Sequence, residues 1–239
     1  MRAAERDVLP DAERLAAAVA TALLEHLGAL QADGRTPHVV LTGGTVADLV
    51  HREVARLAPD SSVDFADVVF WFGDERFVAP DSEDRNERQA RQAFLDAVGA
   101  TQVHAVPSSA TASSVEEAAE VYAATLREHG PDEIDVVMLG VGPDGHVASL
   151  FPDHPQLFEV GVDVVAVRDS PKPPPERVSL TFPALQRSTE VWFLVSGEGK
   201  ADAVARALAG DEVRATPAAG VRGRRRTRWW LDRAAASRL

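Results

Sequence analysis

The sequence predicts an α/β protein: a mainly parallel open sheet with helices on both faces, Rossmann-like in layout. Three observations carry this. Short apolar runs alternate with stretches of helical periodicity along almost the whole chain, as in repeated βα units. The apolar runs are near-continuous, the mark of strands covered on both faces. Three of them end in glycine-bearing polar turns, at the edge where open α/β sheets place their chemistry. No internal repeat or composition shift divides the 239 residues, so residues 1–239 read as one domain.

The elements follow in order. Residues 1–7 read as the lead-in to an amphipathic helix, not as a signal peptide. Leu15, Val19, Ala22, Leu23, His26, Leu27 and Leu30 share one face of that helix, and His26 there reads as packed, not catalytic. Gly34 and Pro37 end it. A strand over 38–42 turns at Gly43-Gly44-Thr45 into a second helix carrying Val46, Leu49, Val50 and Leu57 on one face. Residues 68–72 form a buried-type strand ending in Gly73-Asp74-Glu75-Arg76. A polar loop over 79–86 enters a helix through Ala90, Ala93, Phe94 and Ala97, and 103–106 suits a short strand. Ser113 and Ser114, with Glu116 and Glu117 three residues on, form a capping box. They open a helix through Val115, Ala118, Ala119, Tyr122 and Leu126. The apolar run 134–139 drives into Gly140 to His146. A strand over 162–167, a stiff Pro-rich loop over 169–175 and a strand over 191–195 follow. Gly197-Glu198-Gly199-Lys200 then opens a helix over 201–208, and Trp229-Trp230-Leu231 reads as a final strand.

Composition narrows the function. A net charge of −12 repels nucleic acid and anionic membranes, so an anionic substrate needs a local basic pocket. Arg222, Arg224, Arg225, Arg226 and Arg228 cut across that trend. They read either as a nucleic-acid patch or, preferred here, as a solvated loop before the last strand. With no cysteine, disulfides, thiolate metal sites and a Cys nucleophile are excluded. The histidines show no metal-ligand spacing, and no G-x-S-x-G elbow is present. No run approaches a membrane span, and the cytoplasm is the expected location.

Three turns carry the candidate chemistry. Gly43-Gly44-Thr45 opens a helix whose free N–H groups suit a phosphate, or is a plain tight turn. Lys200 begins a later helix, where its charge opposes the dipole; a bound anion accounts for that, as does a surface position. Arg177, after the Pro-rich loop, offers a planar fork to phosphate oxygens. In Gly73-Asp74-Glu75-Arg76 one carboxylate can pair with Arg76 while the other faces a ligand. Asp144 and His146 suit an orienter and a general base. Gly140, Gly142 and Gly145 also match G-x-G-x-x-G, but Pro152 leaves room for only about two helical turns, against a dinucleotide site.

Together these blocks resemble the 6-phosphogluconolactonase family. The resemblance rests on Leu41 to Thr45, Trp71 to Val78, Leu139 to Pro152, Lys172 to Thr181 and Phe193 to Lys200, in family order. It implies a sugar-phosphate isomerase/lactonase fold. It implies hydrolysis of 6-phospho-D-glucono-1,5-lactone to 6-phosphogluconate in the oxidative pentose phosphate pathway. No cofactor or metal is implied, the partner being the small sugar phosphate, and the chain is expected as a monomer with a dimer as the alternative. Carried over by motif, His146 is the base that activates water and Asp144 sets that histidine; nearby N–H groups or Arg76 are expected to stabilise the oxyanion. Gly43, Gly44, Thr45, Arg177 and Lys200 bind the phosphate, and Asp74 and Arg76 shape the sugar pocket. The chain departs from the family's pattern at Thr42, Thr45 and Val46-Ala47, where Ser, Ser and Thr-Pro are usual. It departs again at Arg85, within a typical Asp-Ser-Asn, and at Val147, where Thr is common. Two rivals share the phosphate loop. A glucosamine-6-phosphate deaminase calls for a glutamate shortly after the His, and Ser149-Leu150-Phe151 supplies none. A sugar-phosphate sensor calls for a DNA-binding segment, and no helix-turn-helix precedes residue 38.

Overall fold

The structure, a computed structural model, describes residues 4–239. Its centre is a seven-stranded sheet, every adjacent pair parallel. The strands are β1 (Glu5–Leu9), β2 (His38–Leu41), β3 (Val69–Phe72), β5 (Gln102–Val103), β6 (Ile134–Leu139), β9 (Ser188–Val195) and β10 (Arg226–Asp232). Their spatial order is β1-β10-β9-β6-β2-β3-β5. A smaller antiparallel sheet, not foreseen from sequence, joins β4 (Asp74–Arg76), β8 (Arg177–Leu180) and β7 (Val164–Val167) in that order.

Side chains alternate along each strand and so serve two cores. Val39, Leu41, Phe70, Phe72, Val136, Met138, Trp192, Leu194 and Trp230 face α1 (Ala12–Ala32), α2 (Thr45–Leu57) and α3 (Asn86–Ala90). Val40, Trp71, Val137, Leu139, Val191, Phe193, Trp229 and Leu231 face the other way. There they meet α4 (Val115–His129), α5 (Phe182–Gln186), α6 (Ala201–Ala209) and the small sheet. Double coverage is why the strands read as unbroken apolar runs. The capping box holds: Ser114 Oγ accepts from the Glu117 amide at 3.2 Å, and Glu117 Oε2 accepts from the Ser113 amide at 2.7 Å.

Several expectations are corrected. Residues 5–9 are an edge strand, not the lead-in to a helix, and Met1–Ala3 of that reading lie outside the described residues. Three of the five residues are charged, Glu5 and Arg6 of them exposed, so no apolar run marks the strand; Asp7, half-buried, accepts from Arg228 at 3.0 Å. Gly73 to Arg76 is not a simple turn, since the chain continues as β4 against β8. Arg226 and Arg228 belong to β10, where Arg226 pairs Glu5 at 3.1 Å and Arg228 lies 3.8 Å from the Trp230 ring centroid. Arg224 pairs Glu133 at 3.1 Å. The arginine run is therefore half strand, held by acids on neighbouring elements. Finally, α1 reaches by length and composition what a membrane crossing requires. Its apolar side, including Leu15, Val19, Leu23 and Leu27, is buried against the sheet, as in a core helix.

One buried contact fixes the end of β3. Tyr122 Oη donates to the Phe72 carbonyl at 3.0 Å and accepts from the Phe72 amide at 2.8 Å. It completes the backbone pairing that short β5 leaves open, and it does so one residue before the Gly73 bend into the site. Tyr122→Phe strands both groups in the core. It should destabilise the protein by about 1–3 kcal/mol, read as a lowered urea midpoint at unchanged m-value.

Candidate active site

Strand order reverses between β6 and β2, since later strands run outward from both. At such a switch point the turns after the two strands splay apart and leave a crevice. The turns after β2, β6 and β9 line a cavity of about 400 Å³, with Gly43, Gly44, Thr45, Gly140, Ser196 and Lys200 on its walls. Gly44 is the N-cap of α2 with φ 102° and offers no side-chain acceptor. The first-turn amides of α2 are thus free for an anion. The Gly140 amide donates to Thr42 Oγ1 at 3.3 Å, tying the two central turns together.

Lys200 lines the same cavity from the N-cap position of α6. Burial pushes its ammonium below the ordinary lysine range, and the Lys172 charge adds to this while Asp144 opposes it. An ammonium disfavoured by burial and by a neighbouring cation is stabilised by an anion between them.

The turn after β6 presents His146. Its Nδ1 lies 2.6 Å from Asp144 Oδ1. Partial burial pushes the Asp144 carboxyl up, but the His146 hydrogen bond and charge, the His146 amide and Lys172 outweigh it and hold the group below the ordinary carboxylate range. An ionised carboxylate only accepts, so the shared proton sits on Nδ1. His146 Nε2 has no protein partner among the described residues and is not one of the buried unpaired atoms. Its lone pair is therefore unclaimed by the protein, although His146 is not among the residues that line the cavity itself. The ring rests on Phe151 at 4.6 Å between centroids. Gly142 makes this packing feasible, because a Cβ there would overlap His146 Nδ1, His146 Cε1 and Asp144 Oδ1.

The small sheet supplies the third wall. Arg76 and Arg177 stand directly opposite in the β4–β8 register, a like-charge pairing that costs stability unless offset. Arg76 Nη1 donates to Asn86 Oδ1, and this pair lies over Gly43, where any Cβ would collide with Asn86. Arg177 is buried. Its Nε donates to the Pro174 carbonyl at 3.1 Å and its Nη2 to the Lys172 and Pro173 carbonyls at 3.1 and 3.2 Å. Only Nη1 stays uncommitted, 3.9 Å from Asp74 Oδ2. The expected fork toward phosphate is therefore closed through Nε and Nη2, which hold the Pro-rich loop instead.

That loop delivers Lys172, whose Nζ sits 3.5 Å from His146 Nδ1. Burial pushes this ammonium down, Asp144 opposes, and Arg177 and Arg76 push it further. Sequence reasoning gave Lys172 no role; its one signal is a lysine set between Pro171 and Pro173 in a stiff loop. Asp74 does not face a ligand as expected. It is buried, its Oδ2 accepting from Ser149 Oγ at 2.6 Å and its Oδ1 from Asn86 Nδ2 at 3.3 Å. Asn86 and Ser149 were given no role either, although Asn86 ends the Asp84-Arg85-Asn86 stretch and Ser149 lies within the Leu139–Pro152 block. Among the described residues, no three His, Asp or Glu side chains converge as a metal site.

A family model described as glucosamine-6-phosphate isomerases/6-phosphogluconolactonase matches residues 10–230. The chain is 45% identical to a 6-phosphogluconolactonase of Streptomyces coelicolor, over 96% of this chain and 92% of the relative. It is 43% identical to one of Mycobacterium tuberculosis, over 98% and 97%. The structure of 6-phosphogluconolactonase from Trypanosoma brucei superposes with a TM-score of 0.86 at 27% identity, covering 99% of this chain and 98% of that one.

Gly142→Ala should expel the imidazole from Asp144 while leaving the sheet intact. Long-range ¹⁵N–¹H spectra should show His146 as the Nδ1–H tautomer in the parent protein. The variant should lose that signature with its far-ultraviolet circular dichroism unchanged.

Proposed function

The chain belongs to the glucosamine-6-phosphate isomerase/6-phosphogluconolactonase family, and on that premise we propose that it hydrolyses 6-phospho-D-glucono-1,5-lactone to 6-phospho-D-gluconate, a step of the pentose phosphate pathway. The observation that carries this reading is the His146 pair: Nδ1 is committed to Asp144 and Nε2 has no partner among the described residues, while the neighbouring cavity is lined by Lys200, whose charge feels Asp144. In this reading residues 1–239 act as one catalytic domain, as a monomer in the cytoplasm, with the sugar phosphate as partner.

His146 Nε2 takes a proton from water as the water oxygen bonds to the lactone C1. The carbonyl electrons move to oxygen, and Arg76 and nearby N–H groups stabilise that oxyanion. When the oxyanion collapses, the bond from C1 to the ring oxygen breaks. The imidazolium gives its proton to the departing alkoxide, and the base is restored. Asp144 keeps the proton on Nδ1 throughout and stabilises the imidazolium.

The phosphate is the handle. The first-turn amides of α2 behind Gly43, Gly44 and Thr45 grip it together with Lys200, and this remote binding energy orients C1. Thr45 supplies a hydroxyl there despite departing from the usual serine. Arg177 acts through its free Nη1 and by fixing the loop that carries Lys172. Asp74 shapes the sugar pocket from behind, by holding Asn86 and hence Arg76.

The test generates the lactone enzymatically and follows 6-phosphogluconate above the spontaneous rate. His146→Ala should lower kcat by about 10²–10⁴-fold, the usual worth of a general base. Lys200→Ala should chiefly raise KM. Parent-like kcat in His146→Ala removes the base from histidine, and a loss confined to kcat in Lys200→Ala removes the phosphate grip.

A further inference from the structure

Glu75 and Arg85 belong to no step above, yet both side chains are almost wholly shut away from water. Glu75 sits in the middle of β4 with its carboxylate turned toward the start of α3. Oε1 accepts from the amides of Arg76 and Asn86, each at 2.8 Å, and Oε2 from the amide of Glu87 at 2.9 Å. One side chain therefore ties the residue after it to the first turn of a helix eleven residues on. The two residues it ties, Arg76 and Asn86, are the pair that meets over Gly43.

The three hydrogen bonds to this carboxylate all come from backbone N–H donors, which suits the ionised form. Burial pushes the group above the ordinary carboxylate range, and the Arg85 charge and the three amides oppose that shift in part. The Arg85 guanidinium is 3.8 Å away. It is held by the Val106 carbonyl at 2.7 Å and by Glu87 Oε2 at 3.2 Å. Its Nε and Nη1 have no partner among the described residues, so two of its nitrogens are buried for their charge alone, and that charge faces Glu75. The other charged or titratable groups around Glu75 are Asp74 and Arg76 on β4, Glu87 on α3, Arg177 on β8 and Tyr122 on α4. Of the cations among them and Arg85, only Arg85 is both buried and free of a role at the cleft.

We infer that Arg85 and Glu75 form a buried ionic clamp that positions Arg76 over the Gly43 turn and so sets substrate affinity. The affinity part rests on the lactonase reading; the clamp itself does not. Neither is a catalytic residue. Arg85 acts through Glu75, and Glu75 acts through the backbone of Arg76 and Asn86.

The test compares the parent with Arg85→Met, Arg85→Lys and Glu75→Gln. Two readouts are used: KM and kcat from about pH 6 to pH 9, and the ¹³C resonance of the Glu75 carboxyl in substrate-free protein. In Arg85→Met the Glu75 titration should move upward by at least about one unit. KM should rise about tenfold on the acid side of that titration and recover on the alkaline side, with kcat changed much less. Arg85→Lys should restore part of both shifts. Glu75→Gln should raise KM at every pH with no step. A Glu75 resonance that titrates alike in the parent and in both Arg85 variants overturns the clamp, even where Arg85→Met lowers the melting temperature. A moved titration with a KM profile parallel to the parent's overturns the link to affinity. If the parent hydrolyses no lactone, the functional reading fails on its own. The carboxyl titration, with the Arg76 Nε–H resonance as reporter of its placement, then still decides the clamp.

Discussion

The hydrogen bond from His146 Nδ1 to Asp144 is the constraint on which the site depends. It commits one ring nitrogen to an ionised acceptor, and the other nitrogen is left with a lone pair and no protein partner. That division turns an imidazole, a group with two interchangeable nitrogens, into a base with a direction. The geometry is set by backbone. Gly142 lacks the Cβ that would occupy the ring's place, and Gly145, at φ 91°, takes a turn that an L side chain rarely adopts. Both lie at the end of β6, a strand wholly buried between neighbours. A strand buried along its whole length therefore presents the imidazole.

Around this pair the chain gathers cations that its overall charge does not foretell. The net charge is −12, yet Lys172 and Lys200 converge on Asp144, and Arg76 and Arg177 on Lys172. Arg76 and Arg177 even share one cross-strand register position. The structure tolerates this by giving the guanidinium groups fixed acceptors: Asn86 for Arg76, and the loop carbonyls with nearby Asp74 for Arg177. Lys172 and Lys200 have less, and burial pushes both ammonium groups down, as it does the Arg177 guanidinium. A site with positive charge already in place does not reorganise when a dianionic substrate arrives.

Much of this was legible in the residues. Unbroken apolar runs marked β2, β3, β6 and β9, and their glycine turns marked the cleft, because burial on both faces and positive φ both leave compositional traces. β1 left none: as an edge strand it is built from Glu5, Arg6 and Asp7, and it is recognisable only once β10 is known to lie beside it. The second sheet was hidden for a related reason, since β4 is three polar residues whose partner, β8, lies about a hundred positions away. The roles of Asp74 and Arg177 also escaped. Residue type shows that a carboxylate or a guanidinium can meet a ligand, but not that Ser149 or the Pro-rich loop has already claimed it.

The central claim is an orientation: C1 at His146 Nε2, phosphate at the start of α2. A crystal structure with 6-phosphogluconate bound tests it most directly. The account predicts the product carboxylate within about 3–4 Å of Nε2, with the phosphate on the amides after Gly44 and on Lys200. A phosphate lodged instead between Arg76, Lys172 and Arg177, with the carboxylate turned toward α2, would contradict it.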